Sequence, residues 1–109
     1  MNTKLPQPIA DYFRAANAHN TDALAAAFAA DAVVVDENRE RRGGAAIKEW
    51  IDEVTEKYKP HAEATDVTEA GDKIVVAATV SGTFPGSPVQ LRYNFTLEGD
   101  KIAALLIKA

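Results

Sequence analysis

Asp36 ends the apolar run Ala32-Val33-Val34-Val35-Asp36. Side chains alternate between the two faces of a strand, so Asp36 shares a face with Ala32 and Val34. That face looks toward the core or into a pocket walled by the preceding helices. An ionised carboxylate there costs several kcal/mol unless it is paired or protonated. Groups held at such a cost are candidates for acid–base work. The alternative is a strand that ends at Val35, with Asp36 opening the polar stretch Asp36-Glu37-Asn38-Arg39-Glu40-Arg41-Arg42.

The remaining residues with chemistry to offer are few. His61 follows Pro60 at a strand start and reads as solvent-facing, with a second acid–base group as the alternative. His19 falls at a helix C-terminus, where positive charge is stabilised and no catalysis need be invoked. Phe13, Phe28, Trp50, Phe84 and Phe95 are of the type that builds cores, and some are expected to line an apolar pocket between helices and sheet. Tyr58 ends a helical stripe at the mouth of that pocket or at the edge of the core. Tyr12 and Tyr93 read as core aromatics whose hydroxyls reach the rim. Two isolated histidines, no cysteine and no His-x-x-x-His spacing exclude a recognisable metal site, and no cofactor is expected. No phosphate-cradling glycine loop or serine triad pattern occurs. Arg39-Glu40-Arg41-Arg42 mixes its charges and reads as a solvated hairpin or loop.

The elements that must position these residues follow from periodicity. After Pro6 and Pro8, Ile9, Tyr12, Phe13 and Ala16 recur at helical spacing, and the helix should stop near His19-Asn20. Asn20 or Thr21 can cap a second helix from Asp22 to about Ala30, with Leu24, Ala27 and Phe28 on its apolar side. Gly43-Gly44 separates the first strand from a third helix striped by Ile47, Trp50, Ile51, Val54 and Tyr58. Pro60 ends it.

Beyond Pro60 the period becomes two. Strands are expected from His61 to Glu69, from Ile74 to Phe84, from Val89 to Leu97 and from Ile102 to Ile107. Ala70-Gly71-Asp72, Pro85-Gly86-Ser87-Pro88 and Glu98-Gly99-Asp100-Lys101 supply the turns. Helices gathered ahead of an antiparallel meander imply an α+β fold, with helices covering one face of a curved sheet. Both faces of the last strand are apolar, so a partner subunit is expected to cover the outer one.

Composition sets the outer limits. The 109 residues suit one domain, 1–109, that can bury one core. No apolar run approaches the roughly 20 residues of a membrane span, and Met1-Asn2-Thr3-Lys4-Leu5-Pro6 lacks the apolar stretch of a secretory signal. A cytoplasmic protein is the expectation. A net charge of −4 argues against a nucleic-acid partner.

Three stretches carry a resemblance. Tyr12-Phe13-Arg14-Ala15-Ala16-Asn17-Ala18-His19-Asn20-Thr21-Asp22-Ala23-Leu24, followed by Phe28-Ala29-Ala30-Asp31-Ala32-Val33-Val34-Val35-Asp36, is similar to the opening of the NTF2-like superfamily. Arg42-Gly43-Gly44-Ala45-Ala46-Ile47-Lys48-Glu49-Trp50 resembles its glycine-opened third helix. Leu91 to Ile102 resembles its last hairpin. The nearest branch is the SnoaL-like proteins, which include polyketide cyclases, with ketosteroid isomerase more distant. The resemblance spans nearly the whole chain. It implies a cone in which three N-terminal helices pack on a curved, mostly antiparallel sheet, and a homodimer formed through the sheet's outer face. It specifies activity poorly, because the superfamily holds isomerases, lyases, cyclases and binding domains.

Residue by residue, the resemblance to ketosteroid isomerase implies roles. Tyr12 falls where that family places an oxyanion-donating tyrosine, and Asp36 where it places its general base. Tyr93 stands where the family has a protonated aspartate as second donor. A phenol with an ordinary pKa near 10 still donates a hydrogen bond at neutral pH. The implied function is a cofactor-independent isomerase, lyase or cyclase acting on a small hydrophobic carbonyl compound. The implied catalytic residues are Asp36, Tyr12 and Tyr93, and the expected pocket residues are Phe13, Phe28, Trp50, Tyr58, Phe84 and Phe95. A binding module that holds its ligand unchanged, or an interaction domain with a vestigial cavity, is the alternative.

Overall fold

In the computed structural model, which describes residues 5–109, helices and strands follow the order that the sequence pattern suggests. Helix α1 (Gln7–Asn17) and helix α2 (Thr21–Ala26) precede strands β1 (Phe28–Asp36) and β2 (Arg39–Arg42). Helix α3 (Gly44–Tyr58) follows, then strands β3 (His61–Ala70), β4 (Lys73–Ser81), β5 (Val89–Glu98) and β6 (Lys101–Lys108). The stretch expected to lack a secretory signal lies, at positions 1–4, outside the described residues. No helix among the described residues is long and apolar enough to cross a membrane.

The six strands form one curved sheet in the order β2-β1-β6-β5-β4-β3. Every pairing is antiparallel except β1 with β6, which is parallel. The register shifts at three places, between Phe28 and Val33, between Ala64 and Asp66, and between Thr96 and Leu97. Such bulges increase local twist and bend a sheet. The curved sheet then cups the helices. The α+β architecture, with helices covering one face of a curved sheet, is thus the one the pattern implied, and the mostly antiparallel cone is the one the resemblance implied.

The core lies between the helices and the concave face. Ile9, Ile47 and Ile51 descend from the helices onto Val34, Val76, Phe95, Ile102 and Leu105, all fully buried. Each such side chain contributes about 1.5–3 kcal/mol relative to exposure. Ala32 and Val34 are buried and Asp36 half-buried on the same side of β1, as strand alternation demands.

Two boundaries differ from the sequence reading, and Arg39–Arg42 takes the hairpin form of its two alternatives. Helix α2 stops at Ala26 rather than near Ala30, and β1 starts at Phe28. Phe28 pairs with Ile102, and the Ile102 amide donates to Ala27 O at 2.9 Å, so β6 draws this stretch into the sheet. Arg39–Arg42 forms an edge strand, because Glu37 and Asn38 both adopt left-handed conformations, φ 54° and 62°, that close a hairpin onto β1. Strand β4 ends at Ser81 rather than Phe84. There the Thr83 amide donates to Tyr58 O at 2.7 Å and its hydroxyl to Lys57 O at 3.0 Å, which ties the chain to the end of α3.

Candidate functional site

A cavity of about 490 Å³ opens between the helices and the far half of the sheet. Its floor comes from the alternating inward residues of β4 and β5, among them Val80, Val89, Leu91 and Tyr93. Helix α1 contributes Tyr12, Ala16 and Asn17; helix α3 contributes Trp50, Val54, Thr55 and Tyr58. Asp36 and Glu37 enter from the end of β1, and Phe84 and Pro85 from the β4–β5 connection.

Helical spacing explains which α1 residues arrive together. Ile9, Tyr12, Phe13 and Ala16 lie on one stripe, but the stripe meets two environments. Ile9 and Phe13 enter the core, while Tyr12 and Ala16 border the cavity. At the end of α1, the Asn17 side chain pairs with the Ala62 backbone in both directions, donating to its carbonyl and accepting from its amide, each at 2.8 Å. This pair of hydrogen bonds fastens helix α1 to the start of β3.

Tyr12 and Tyr93 come from elements far apart in sequence, yet their rings meet edge to face with centroids 6.0 Å apart. Both are almost fully buried, at 5 % and 6 % exposure. Among the described residues neither hydroxyl has a hydrogen-bond partner, and no sealed side-chain polar atom goes unpaired. Both hydroxyls therefore open into the cavity their rings line. Burial is the main reason that Tyr12 holds its proton well above the ordinary phenol range, with Tyr93 and Asp36 adding to it. Burial, then the Asp36 charge, raises Tyr93 as well. The two phenols are hydrogen-bond donors at any working pH.

Asp36 is the acid that the apolar strand carries into this space. Desolvation raises its carboxyl above the ordinary value of 3.8, and the neighbouring Glu37 charge adds to the rise. The Trp50 indole N–H, donating to Oδ2 at 3.1 Å, pulls in the opposite direction, as do the Glu37 amide and the more distant Arg41. Trp50 thus orients the carboxylate while keeping it partly ionisable. Arg39, Arg41 and Arg42 do not line the cavity; Arg42 instead bonds Glu40 at 3.0 Å.

The aromatic residues divide. Trp50, Tyr58 and Phe84 line the cavity, and the rings of Tyr58 and Phe84 meet edge to face at 5.7 Å across its rim. Phe13, Phe28 and Phe95, expected as pocket residues, do not line it. They pack around Tyr12 in the core, with centroids 5.1, 6.0 and 5.4 Å from its ring, and so support the tyrosine from behind. Period alone cannot separate these roles, because core and cavity lie under the same apolar face. His61 is exposed and outside the cavity. His19 is exposed too, its Nε2 2.9 Å from Pro60 O.

Two lining residues escape a sequence reading. Glu37 looks like the start of a polar turn, but the left-handed turn brings its carboxylate to the rim, where Tyr58 OH donates to it at 3.3 Å. Asn17 carries no pattern that marks a helix-to-strand clasp. Leu91, by contrast, is readable as an inward position of a cleanly alternating strand, whereas Ile107 lies on a strand apolar on both faces.

The described residues contain no cluster of histidine and acidic groups suited to a metal ion. What the cavity assembles is one half-buried carboxylate of raised pKa, two unpartnered phenol donors and an apolar wall. Such a set can move a proton and stabilise an oxyanion.

The SnoaL-like domain model matches residues 9–105. A protein from Sinorhizobium meliloti, provisionally named a polyketide cyclase, shares 44% sequence identity; the match covers 95% of both chains with a TM-score of 0.91. A protein from Catenulispora acidiphila with a ketosteroid isomerase-like fold, solved with trimethylamine, shares 22% identity at a TM-score of 0.84, over 97% of this chain and 87% of that one. A Pseudomonas putida protein, also provisionally named a polyketide cyclase, shares 18% identity at 0.79, over 94% and 88%. The curated proteins compared include no match. The chain is a member of the SnoaL-like domain family, with the NTF2-like fold.

Proposed function

We propose that this protein is a cofactor-independent acid–base catalyst acting on a small hydrophobic carbonyl compound, as an isomerase, lyase or cyclase. The observation that carries the reading is that the buried residues Tyr12 and Tyr93 turn unpartnered hydroxyls into the same cavity as the desolvated Asp36. Asp36 takes the proton from the carbon next to the carbonyl. The electron pair moves into the carbonyl, and the oxygen that gains charge accepts hydrogen bonds from the two phenols. The protonated Asp36 then returns the proton to another carbon; in a cyclisation, the enolate carbon instead bonds to a second carbonyl carbon of the substrate, whose C=O π pair moves onto its oxygen, and that oxygen takes the proton from Asp36. Burial supports each role, since it raises the basicity of the carboxylate and keeps both phenols protonated. The polyketide cyclase name of the 44% identical Sinorhizobium meliloti protein points to the same class of chemistry.

The test is exchange of the α-protons of 2-tetralone with D2O, followed by NMR. Wild-type protein is expected to accelerate exchange. Asp36→Asn should lose about 10²–10⁴-fold, the usual worth of a general base. Tyr12→Phe and Tyr93→Phe should each lose about 10²-fold, as for one oxyanion donor. Retained exchange in Asp36→Asn removes the carboxylate from the mechanism. Binding of 2-tetralone without any acceleration makes the cavity a binding site only.

A further inference from the structure

The cavity has a charge that the carbonyl chemistry does not require. Two carboxylates, Asp36 and Glu37, line it, and among the described residues no lysine, arginine or histidine does. Glu37 stands at the rim, in the turn between β1 and β2. Its one side-chain partner is a neutral hydroxyl, Tyr58 OH at 3.3 Å, and no cationic group among the described residues lies within ion-pair distance. Beside it stand the edge-to-face rings of Tyr58 and Phe84.

A carboxylate flanked by two aromatic rings at the mouth of an apolar cavity suits an ammonium group. Ring quadrupoles attract cations, and the attraction grows where water is displaced. The Tyr58 ring already engages one: Lys57 Nζ lies 5.1 Å from its centroid, although Lys57 does not line the cavity. Arg41 and Arg39 also stand near, the first close enough to act on Asp36 and the second opposite it across the hairpin, but neither lines the cavity. A ligand carboxylate or phosphate would instead enter an apolar space beside two like charges, with no basic side chain to meet it. The acidic rim alone would say little. Tyr12 and Tyr93, more than nine-tenths buried yet with unpartnered hydroxyls open to the same space, independently point to a bound molecule.

We propose that the compound this cavity takes carries a protonated or quaternary amine, seated at the rim against Glu37, Tyr58 and Phe84, with its carbonyl oxygen at the hydroxyls of Tyr12 and Tyr93. The inference rests on the acid–base reading for the placement of the carbonyl, and adds the charge class of the substrate. It also leaves Asp36 unpaired with the ligand cation, as a base must be.

Trp50 supplies the readout. It is the single tryptophan, it lines the cavity, and its indole N–H is bonded to Asp36. Three aryl ketones of near-equal size are titrated at pH 7 by Trp50 fluorescence and by calorimetry. They are 4-(dimethylamino)-1-phenylbutan-1-one, protonated at that pH; 5-methyl-1-phenylhexan-1-one, uncharged; and 5-oxo-5-phenylpentanoate, anionic. The expected order of affinity is amine, then neutral ketone, then carboxylate, with about tenfold between the first two. Glu37→Gln should erase most of the preference for the amine and leave the neutral ketone within about twofold. Equal or tighter binding of the neutral ketone overturns the proposal, as does an equal loss for both ligands in Glu37→Gln or failure of all three to bind. These are equilibrium measurements, so the two readings fail separately. Charge preference without proton exchange in 2-tetralone sinks the catalytic reading alone; exchange without charge preference sinks only the amine subsite.

Discussion

Asp36 is held in the folded protein at an electrostatic cost, and that cost has a sign that can be measured. Its carboxyl is raised above 3.8, first by burial, so the native state binds its proton more tightly than the unfolded chain does. The stability this confers is complete below about 3.8 and is lost as pH rises through the raised native value. At neutral pH the ionised group is a burden on the fold. Asp36→Asn removes the charge, and an amide oxygen can still accept from the Trp50 indole. The variant is therefore expected to melt a few degrees above the wild type at pH 7, with the gap closing toward pH 3.5. Calorimetry across pH 3.5–7 checks this; a variant less stable than wild type at pH 7 would contradict a desolvated carboxylate. An acid at the end of a valine run was legible as a residue out of place. Its indole partner was not, since Trp50 lies 14 positions away on another element and nothing in the chain marks the pair.

Among elements, the join between α1 and β3 decides where the cavity ends. Asn17 makes both of its 2.8 Å bonds to the Ala62 backbone in a partly buried setting, so removing it leaves a donor and an acceptor without partners. Asn17→Ala should cost about 1–3 kcal/mol and lower the melting temperature accordingly, at roughly 4–8 °C per kcal/mol for a domain of this size. An unchanged melting temperature would show that water replaces the clasp without loss. The opposite wall is held by Gly82, where an added Cβ would collide with the Tyr58 carbonyl oxygen. That close approach keeps Phe84 against Tyr58. Helices and strands themselves were largely legible, because stripes such as Ile47, Trp50, Ile51 and Val54, and alternations such as Leu91, Tyr93 and Phe95, are local. The ends of α2 and β4 were not. Pairing of Phe28 with Ile102, and of Thr83 with the end of α3, reaches across the fold and overrides local preference.

For the whole molecule, the convex face of the sheet is the surface that offers itself for assembly. Val33, Val35, Val75, Ala77, Ala104 and Leu106 face away from the helices and are only half-buried, with Arg92 and Asn94 beside them. The expected outcome is a homodimer through this face at micromolar concentration, measured by sedimentation velocity. Leu106→Lys is expected to shift it to monomer while the far-ultraviolet circular dichroism stays unchanged. A wild-type monomer at micromolar concentration would refute the interface.

What the sequence determined by itself was the fold class and the residues able to do chemistry, because periodicity, turn residues and a misplaced carboxylate are local signals. Tertiary structure decided which of them meet. Tyr12, Asp36, Trp50 and Tyr93 come from four elements and converge only because the sheet bends under its bulges and the helices pack across it. It also decided that Phe13, Phe28 and Phe95 fill the core while Tyr58 and Phe84 frame an opening. An apolar face says that a residue leaves water. Only the shape of the opposing surface says whether it meets another side chain or an empty space.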